Sequence, residues 1–194
     1  KRFDVVVTLT GSDGDTLALI SSHVARGMGE PVEPDRVVLR LRLTGTAPVP
    51  PPLDRVLPEA TIDAIPTDVA TPVRPFVLGY DPDPLAGEAP AFSINGERWP
   101  FAPEIQGDVG VIEIWEIVNT TPTPEPFHLH GTFFQVLERD GQPEPRRARE
   151  DVALVAAGET LRFAVRYERP GKWMFHSHIP EHAERGMMGV LDLR

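Results

Sequence analysis

Five of the six histidines in this 194-residue chain fall in two short stretches. "FHLHG" places His128 and His130 two residues apart, and "FHSH" repeats the arrangement with His176 and His178. On a β-strand, residues i and i+2 point the same way about 7 Å apart, so each pair aims two imidazoles into one space. If the two strands lie side by side, four imidazoles converge. Neutral imidazole suits copper, zinc, iron and nickel, and carboxylate-poor, all-nitrogen surroundings favour copper or zinc. A lone histidine is ordinarily a satisfied polar side chain, and that reading fits His23 in "ISSHVARG". His182, in "IPEHAERG", stands between the two cases, because a loop with an exposed ring would look the same.

The elements that must carry these pairs are strands. Alternation of apolar and polar residues marks 3–10 ("FDVVVTLT"), 36–45, 110–119, 134–141, 159–168 and 189–194. Such period-two runs, rich in Val, Ile, Leu and Phe, read as strands with one face buried. No segment holds a helical period beyond two turns, and 22 prolines and 16 glycines punctuate the runs. The class is therefore all-β, a sandwich or barrel. A proline cluster in "TGTAPVPPPLDRVLP" (44–58) starts a stiff linker over 46–72. Residues 1–45 supply about three strands, too few to close a sandwich alone, whereas 73–194 hold enough for a complete domain. "GSDGD" (11–15) reads as a hairpin turn rather than a calcium loop.

Composition narrows the chemistry further. With no cysteine there is no disulfide, thiolate nucleophile, zinc-thiolate cluster or blue-copper thiolate. A formal net charge of −10 argues against nucleic acid or an anionic membrane surface as partner, and no apolar run approaches the ~20 residues of a membrane span. Trp115 and Trp173 sit in strand-like runs and read as core residues with paired indole nitrogens. Met174, Met187 and Met188 could form a thioether patch but more often such methionines fill core gaps.

Three stretches, "FSINGERWP", "GVIEIWEIVNTTPTPEPFHLHGTFFQVLERDG" and "DVALVAAGETLRFAVRYERPGKWMFHSHIPEHAERGMMGVL", resemble the C-terminal domain of the three-domain multicopper oxidases, the laccase and bacterial copper-efflux oxidase type. The resemblance covers 73–194, and residues 1–45 resemble the last strands of that family's middle domain. It implies a cupredoxin-like Greek-key β-sandwich. It further implies copper-dependent oxidoreductase chemistry once an N-terminal cupredoxin domain or chain completes the site, with O2 as oxidant, an unspecified reducing substrate, and a periplasmic or secreted location. By resemblance His128 would be a type 2 copper ligand, while His130, His176 and His178 would bind the type 3 pair.

The same resemblance places the type 1 copper ligands at Glu125, Ser177, His182 and Met187, where the family carries histidine, cysteine, histidine and an axial methionine. Two of the four depart from the pattern, and a serine hydroxyl cannot supply a copper–thiolate bond. No type 1 copper is expected, and with Ser177 in place of the thiolate the usual electron relay is missing. An ion pair or hydrogen bond between Glu125 and His182 is the expected use of the vestigial site. A carboxylate that often follows the third histidine in the family is replaced by Ala183, between Glu181 and Glu184. The rival reading is a copper-binding or structural cupredoxin without oxidase turnover.

Overall fold

The computed structural model describes residues 7, 9–24, 32–45, 62–69, 71–85, 87–102 and 104–194. The chain divides into two compact units, one spanning Phe3–Thr61 and the other built on Ile62–Arg194. Most of the strand expected at 3–10, and 46–61 and 70 of the expected linker, lie outside the described residues.

The first unit contains an antiparallel hairpin of β1 (Thr16–Ser21) and β2 (Arg36–Arg42). "GSDGD" forms a turn ahead of it, tied by hydrogen bonds from Ser12 N to Asp15 Oδ2 and from Gly45 N to Asp13 Oδ1. Every residue of β2 is exposed, including Val38 and Leu39. The sequence predicts a buried face there, and among the described residues the β1–β2 pair has no second layer to bury it against. His23 keeps Nε2 shielded from solvent without a partner among the described residues, so the expected satisfied side chain is not found.

Among the described residues the second unit holds eleven strands in two sheets. In chain order they are β3 (Val73–Asp81), β4 (Ala91–Ile94), β5 (Glu104–Gly107), β6 (Ile112–Asn119), β7 (Glu125–Leu129), β8 (Phe134–Arg139), β9 (Gln142–Pro143), β10 (Val152–Val155), β11 (Thr160–Arg166), β12 (Gly171–Ser177) and β13 (Met188–Leu193). One helical turn, α1 (Pro180–Glu184), separates the last two. The six-stranded sheet runs β4-β3-β6-β11-β8-β9 and the five-stranded sheet β10-β7-β12-β13-β5. From β6 onward the chain crosses repeatedly between the sheets, staying in one sheet only at the β8–β9 and β12–β13 pairs, as in a cupredoxin-like Greek-key sandwich. Pro75 is tolerated in β3 because the neighbouring β4 covers only Leu78–Asp81, leaving the proline beyond that pairing.

Between the sheets lies an aromatic core around fully buried Trp115, with ring centroids of Phe76, Phe175, Phe163 and Phe127 4.5–6.2 Å away. Trp115 Nε1 donates to Tyr167 Oη at 3.0 Å, and that hydroxyl donates to Glu113 Oε2 at 2.6 Å. Arg74 grips both oxygens of Glu113 at 2.6–2.7 Å. Burial alone would raise the Glu113 carboxyl, but the bonds from Arg74 and Tyr167 outweigh it and hold the group below the usual carboxylate range. Phe127 and Phe175, each buried, immediately precede His128 and His176. Burying each ring contributes about 1.5–3 kcal/mol. Alternation then turns the two following imidazoles outward.

Candidate metal centre

β7 and β12 are antiparallel neighbours, in a register that sets His128 directly opposite His176. His130 follows β7, held by its N–H to Met174 O, and His178 follows β12, held by its N–H to Pro126 O. Each therefore sits diagonally from the other strand's first histidine, and the four rings converge. Ring centroids of His128 lie 4.5 Å from His130, 5.3 Å from His176 and 5.1 Å from His178. The possible ligand atoms of His128, His130 and His176 all fall within 4.8 Å of one another, while His178 is the exposed member.

Backbone carbonyls orient two of the rings. His128 Nδ1 donates to Asp151 O at 2.6 Å, and His176 Nδ1 donates to Ser177 O at 2.7 Å. Those bonds leave each Nε2 as the lone-pair atom, the arrangement a metal-binding imidazole requires. His130 Nε2 lies 3.0 Å from His176 Nε2 and donates to it. Burial lowers the pKa of His130, with the neighbouring His128, His176 and His178 acting in the same sense. Burial likewise lowers that of His176, against the opposing bond to Ser177 O. Both are held neutral further into the acid range than an ordinary histidine, which favours metal over proton.

A cleft of about 340 Å³ opens beside the rings, lined in part by His128, His130, Phe133, Asp151 and Trp173. Trp173 is a half-buried wall of this cleft and not a core residue as the sequence suggests, although its indole nitrogen is paired, donating to Arg169 O at 3.1 Å. Gly131, at φ +77°, lies flat against that indole, where a Cβ would come within 2.2 Å of it. Met187 is fully buried, whereas Met188, opposite His176 on β13, is half-buried and Met174 is 42 % exposed.

Behind the same strands lies the second group of predicted residues. Glu125, Ser177, His182 and Met187 are all buried, at 0–2 % exposure. Ser177 Oγ donates to Glu125 Oε2 at 2.7 Å and His182 Nδ1 bonds Glu125 Oε1 at 2.8 Å. The Glu125–His182 contact is the one expected from sequence. His182 is not an exposed loop ring: Pro180 opens α1, which turns the imidazole inward to stack on Phe92 at 3.9 Å. Ala183 is buried, and Glu181 and Glu184 are exposed. Sequence reasoning missed Thr121 and Thr123: the Thr123 hydroxyl donates to Glu125 Oε1 at 3.2 Å, and the Thr121 hydroxyl, 3.4 Å from the same oxygen, donates chiefly to Thr123 O at 2.9 Å. Their even spacing before Glu125 in "TTPTPE" is the signal that could have found them.

The family profile described as multicopper oxidase matches residues 72–194. This chain belongs to the multicopper oxidase family. It is 37 % identical to the multicopper oxidase mco of Staphylococcus epidermidis over 114 residues, covering 55 % of this chain and 26 % of that protein. It is 26 % identical to the laccase of Bacillus subtilis over 216 residues, covering 100 % of this chain and 41 % of that one. The crystal structure of the McoA multicopper oxidase of Aquifex aeolicus superimposes with a TM-score of 0.65 at 26 % identity, over 95 % of this chain and 41 % of that chain. The chain thus spans between about a quarter and two-fifths of the length of these relatives.

Proposed function

We propose that this multicopper oxidase domain is the C-terminal part of a laccase-like protein that lacks type 1 copper. In this reading His128, His130, His176 and His178 supply half of a type 2/type 3 trinuclear copper cluster, completed by an N-terminal cupredoxin domain. Residues 1–45 would close a middle domain, 46–72 link it to the rest, and the protein would work in the periplasm or outside the cell.

The observation that carries the proposal is the convergence of four imidazoles across β7 and β12, with His128 and His176 each fixed through Nδ1 on a carbonyl. An all-imidazole donor set in the neutral state fits copper. Bound there, copper would supply the electron transfer that reduces dioxygen. The chain's own part is to hold the rings and keep them unprotonated. The serine at 177 and the carboxylate at 125, already bonded to each other, support the absence of a type 1 ion. A reductant would then have to meet the cluster itself, and the walls of Phe133 and Trp173 give it a surface beside the rings.

The test is copper content with electron paramagnetic resonance and optical spectra on the protein assembled with its N-terminal portion. A content matching a trinuclear cluster, with type 2 and type 3 signals and no blue band, is the expected result. Retention of less than one copper, unaltered by His128→Ala or His176→Ala, would favour a structural cupredoxin.

A further inference from the structure

The carboxylate of Glu125 is completely buried, yet it is one of the most heavily bonded groups in the protein. Four side chains from three elements converge on it. Thr121 and Thr123 come from the turn before β7, Ser177 from the end of β12 and His182 from α1. Burying a carboxylate costs several kcal/mol, and an apolar residue of similar volume would often serve packing as well. A network this complete, built around a costly group, points to a task beyond filling space.

The contacts of Ser177 indicate that task. Its hydroxyl proton is committed to Glu125 Oε2, which turns an oxygen lone pair to the Ile179 N–H at 3.2 Å. Its own N–H is committed to Met187 O at 3.1 Å. The residue is thereby pinned through side chain and backbone together. The next peptide carries the Ser177 carbonyl, is also held by the His178 N–H to Pro126 O at 2.7 Å, and presents that carbonyl outward as the acceptor for His176 Nδ1–H at 2.7 Å. The direction of that carbonyl decides which ring nitrogen of His176 carries hydrogen, and so leaves Nε2 facing His130. His128 takes its orientation from Asp151 O, which is no part of the network.

We infer that Glu125 is a positioning residue for the histidine cluster, acting through Ser177 to fix the tautomer and orientation of His176. For its purpose this rests on the copper reading above. The role reaches across the strand, from a closed polar pocket on one face to a ligand on the other.

The experiment compares Ser177→Ala, Glu125→Leu and Glu125→Gln with the parent chain in two measurements. The first is the nitrogen shifts of the histidine rings by NMR without metal. The second is cupric ion affinity. Outer-shell partners of metal-bound histidine typically matter by ~10–100-fold, and one bond further out the expected loss is about threefold to tenfold. Ser177→Ala and Glu125→Leu should mix the tautomers of His176 and leave His128 unmoved, and Glu125→Gln should restore the parent pattern in part. A His176 tautomer unchanged in folded Ser177→Ala overturns the inference, and that variant decides the matter if Glu125→Leu does not fold. A parent that binds no copper but loses its His176 tautomer in Ser177→Ala sinks the copper reading and keeps the positioning role. A parent that binds copper with the tautomer unmoved does the reverse.

Discussion

The two faces of β7 and β12 differ in how they treat their polar groups. On the outer face, His128 and His176 each spend one nitrogen on a carbonyl and keep the other for a ligand. On the inner face of the same two strands, the Glu125 carboxylate takes donors on both oxygens and is sealed from solvent. Open valence on one side and saturated valence on the other teach where an ion can enter. A metal on the outer face meets the free Nε2 of His128 and has only the single His130–His176 contact to displace, while on the inner face it must first displace a serine and an imidazole from a buried carboxyl group.

The largest expected effect comes from erasing that difference. Ser177→Cys combined with Glu125→His would place a thiolate and a second imidazole beside His182 and Met187, the soft donor set that blue copper uses. Ser177 Oγ and His182 Nδ1 already reach the same carboxyl group, at 2.7 Å from Glu125 Oε2 and 2.8 Å from Oε1 respectively. Copper added to this double variant should produce an intense blue absorption that the parent lacks. If the variant folds, takes up copper and stays colourless, the inner pocket is not a type 1 site in disguise.

Next in size is the energy held by the inner face. Glu125→Leu removes the hub and leaves Ser177, His182 and two threonines with buried groups to re-satisfy. Breaking a buried pair in this way costs about 3 kcal/mol or more. Denaturant unfolding should show a lowered midpoint with an unchanged slope. A loss below about 1 kcal/mol would mean that the pocket is closed by packing alone and that the contrast between the faces is one of shape.

Much of this contrast was legible before any coordinates. The runs at 110–119, 134–141, 159–168 and 189–194 became β6, β8, β11 and β13 with shifts of a few residues, because their alternation reports burial directly. The four clustered histidines were legible for the same reason, since spacing on a strand fixes the face, whereas the Glu125–His182 contact was expected only from the family resemblance. The short β4, β5, β9 and β10 carry too few residues for a period to show, and β3 is interrupted by Pro75. Burial of His182 depended on a single helical turn started by Pro180, which no periodicity reveals. Trp173 looked like core because its strand alternates, but its side chain closes over Gly131 at the rim.

The smallest expected effect, and the finest probe of the outer face, is the pH dependence that the crowded imidazoles impose. His130 and His176 titrate below the ordinary histidine value in the folded chain, chiefly through burial. The unfolded chain, with histidines near 6.5, therefore binds more protons between the two values. Stability from this source is fully present above the unfolded value and is lost as pH falls through the folded ones. Glu113, held below the usual carboxylate range, titrates lower still and leaves that window clear. Both rings are partly exposed and screened by solvent, so the loss should be small and should begin as pH falls below the ordinary histidine value. His130→Asn with His176→Asn should flatten the curve of unfolding free energy against pH over this range. An equally steep curve in the double variant would place the titrating group elsewhere, and the outer face would no longer be set apart by rings kept ready in their neutral form.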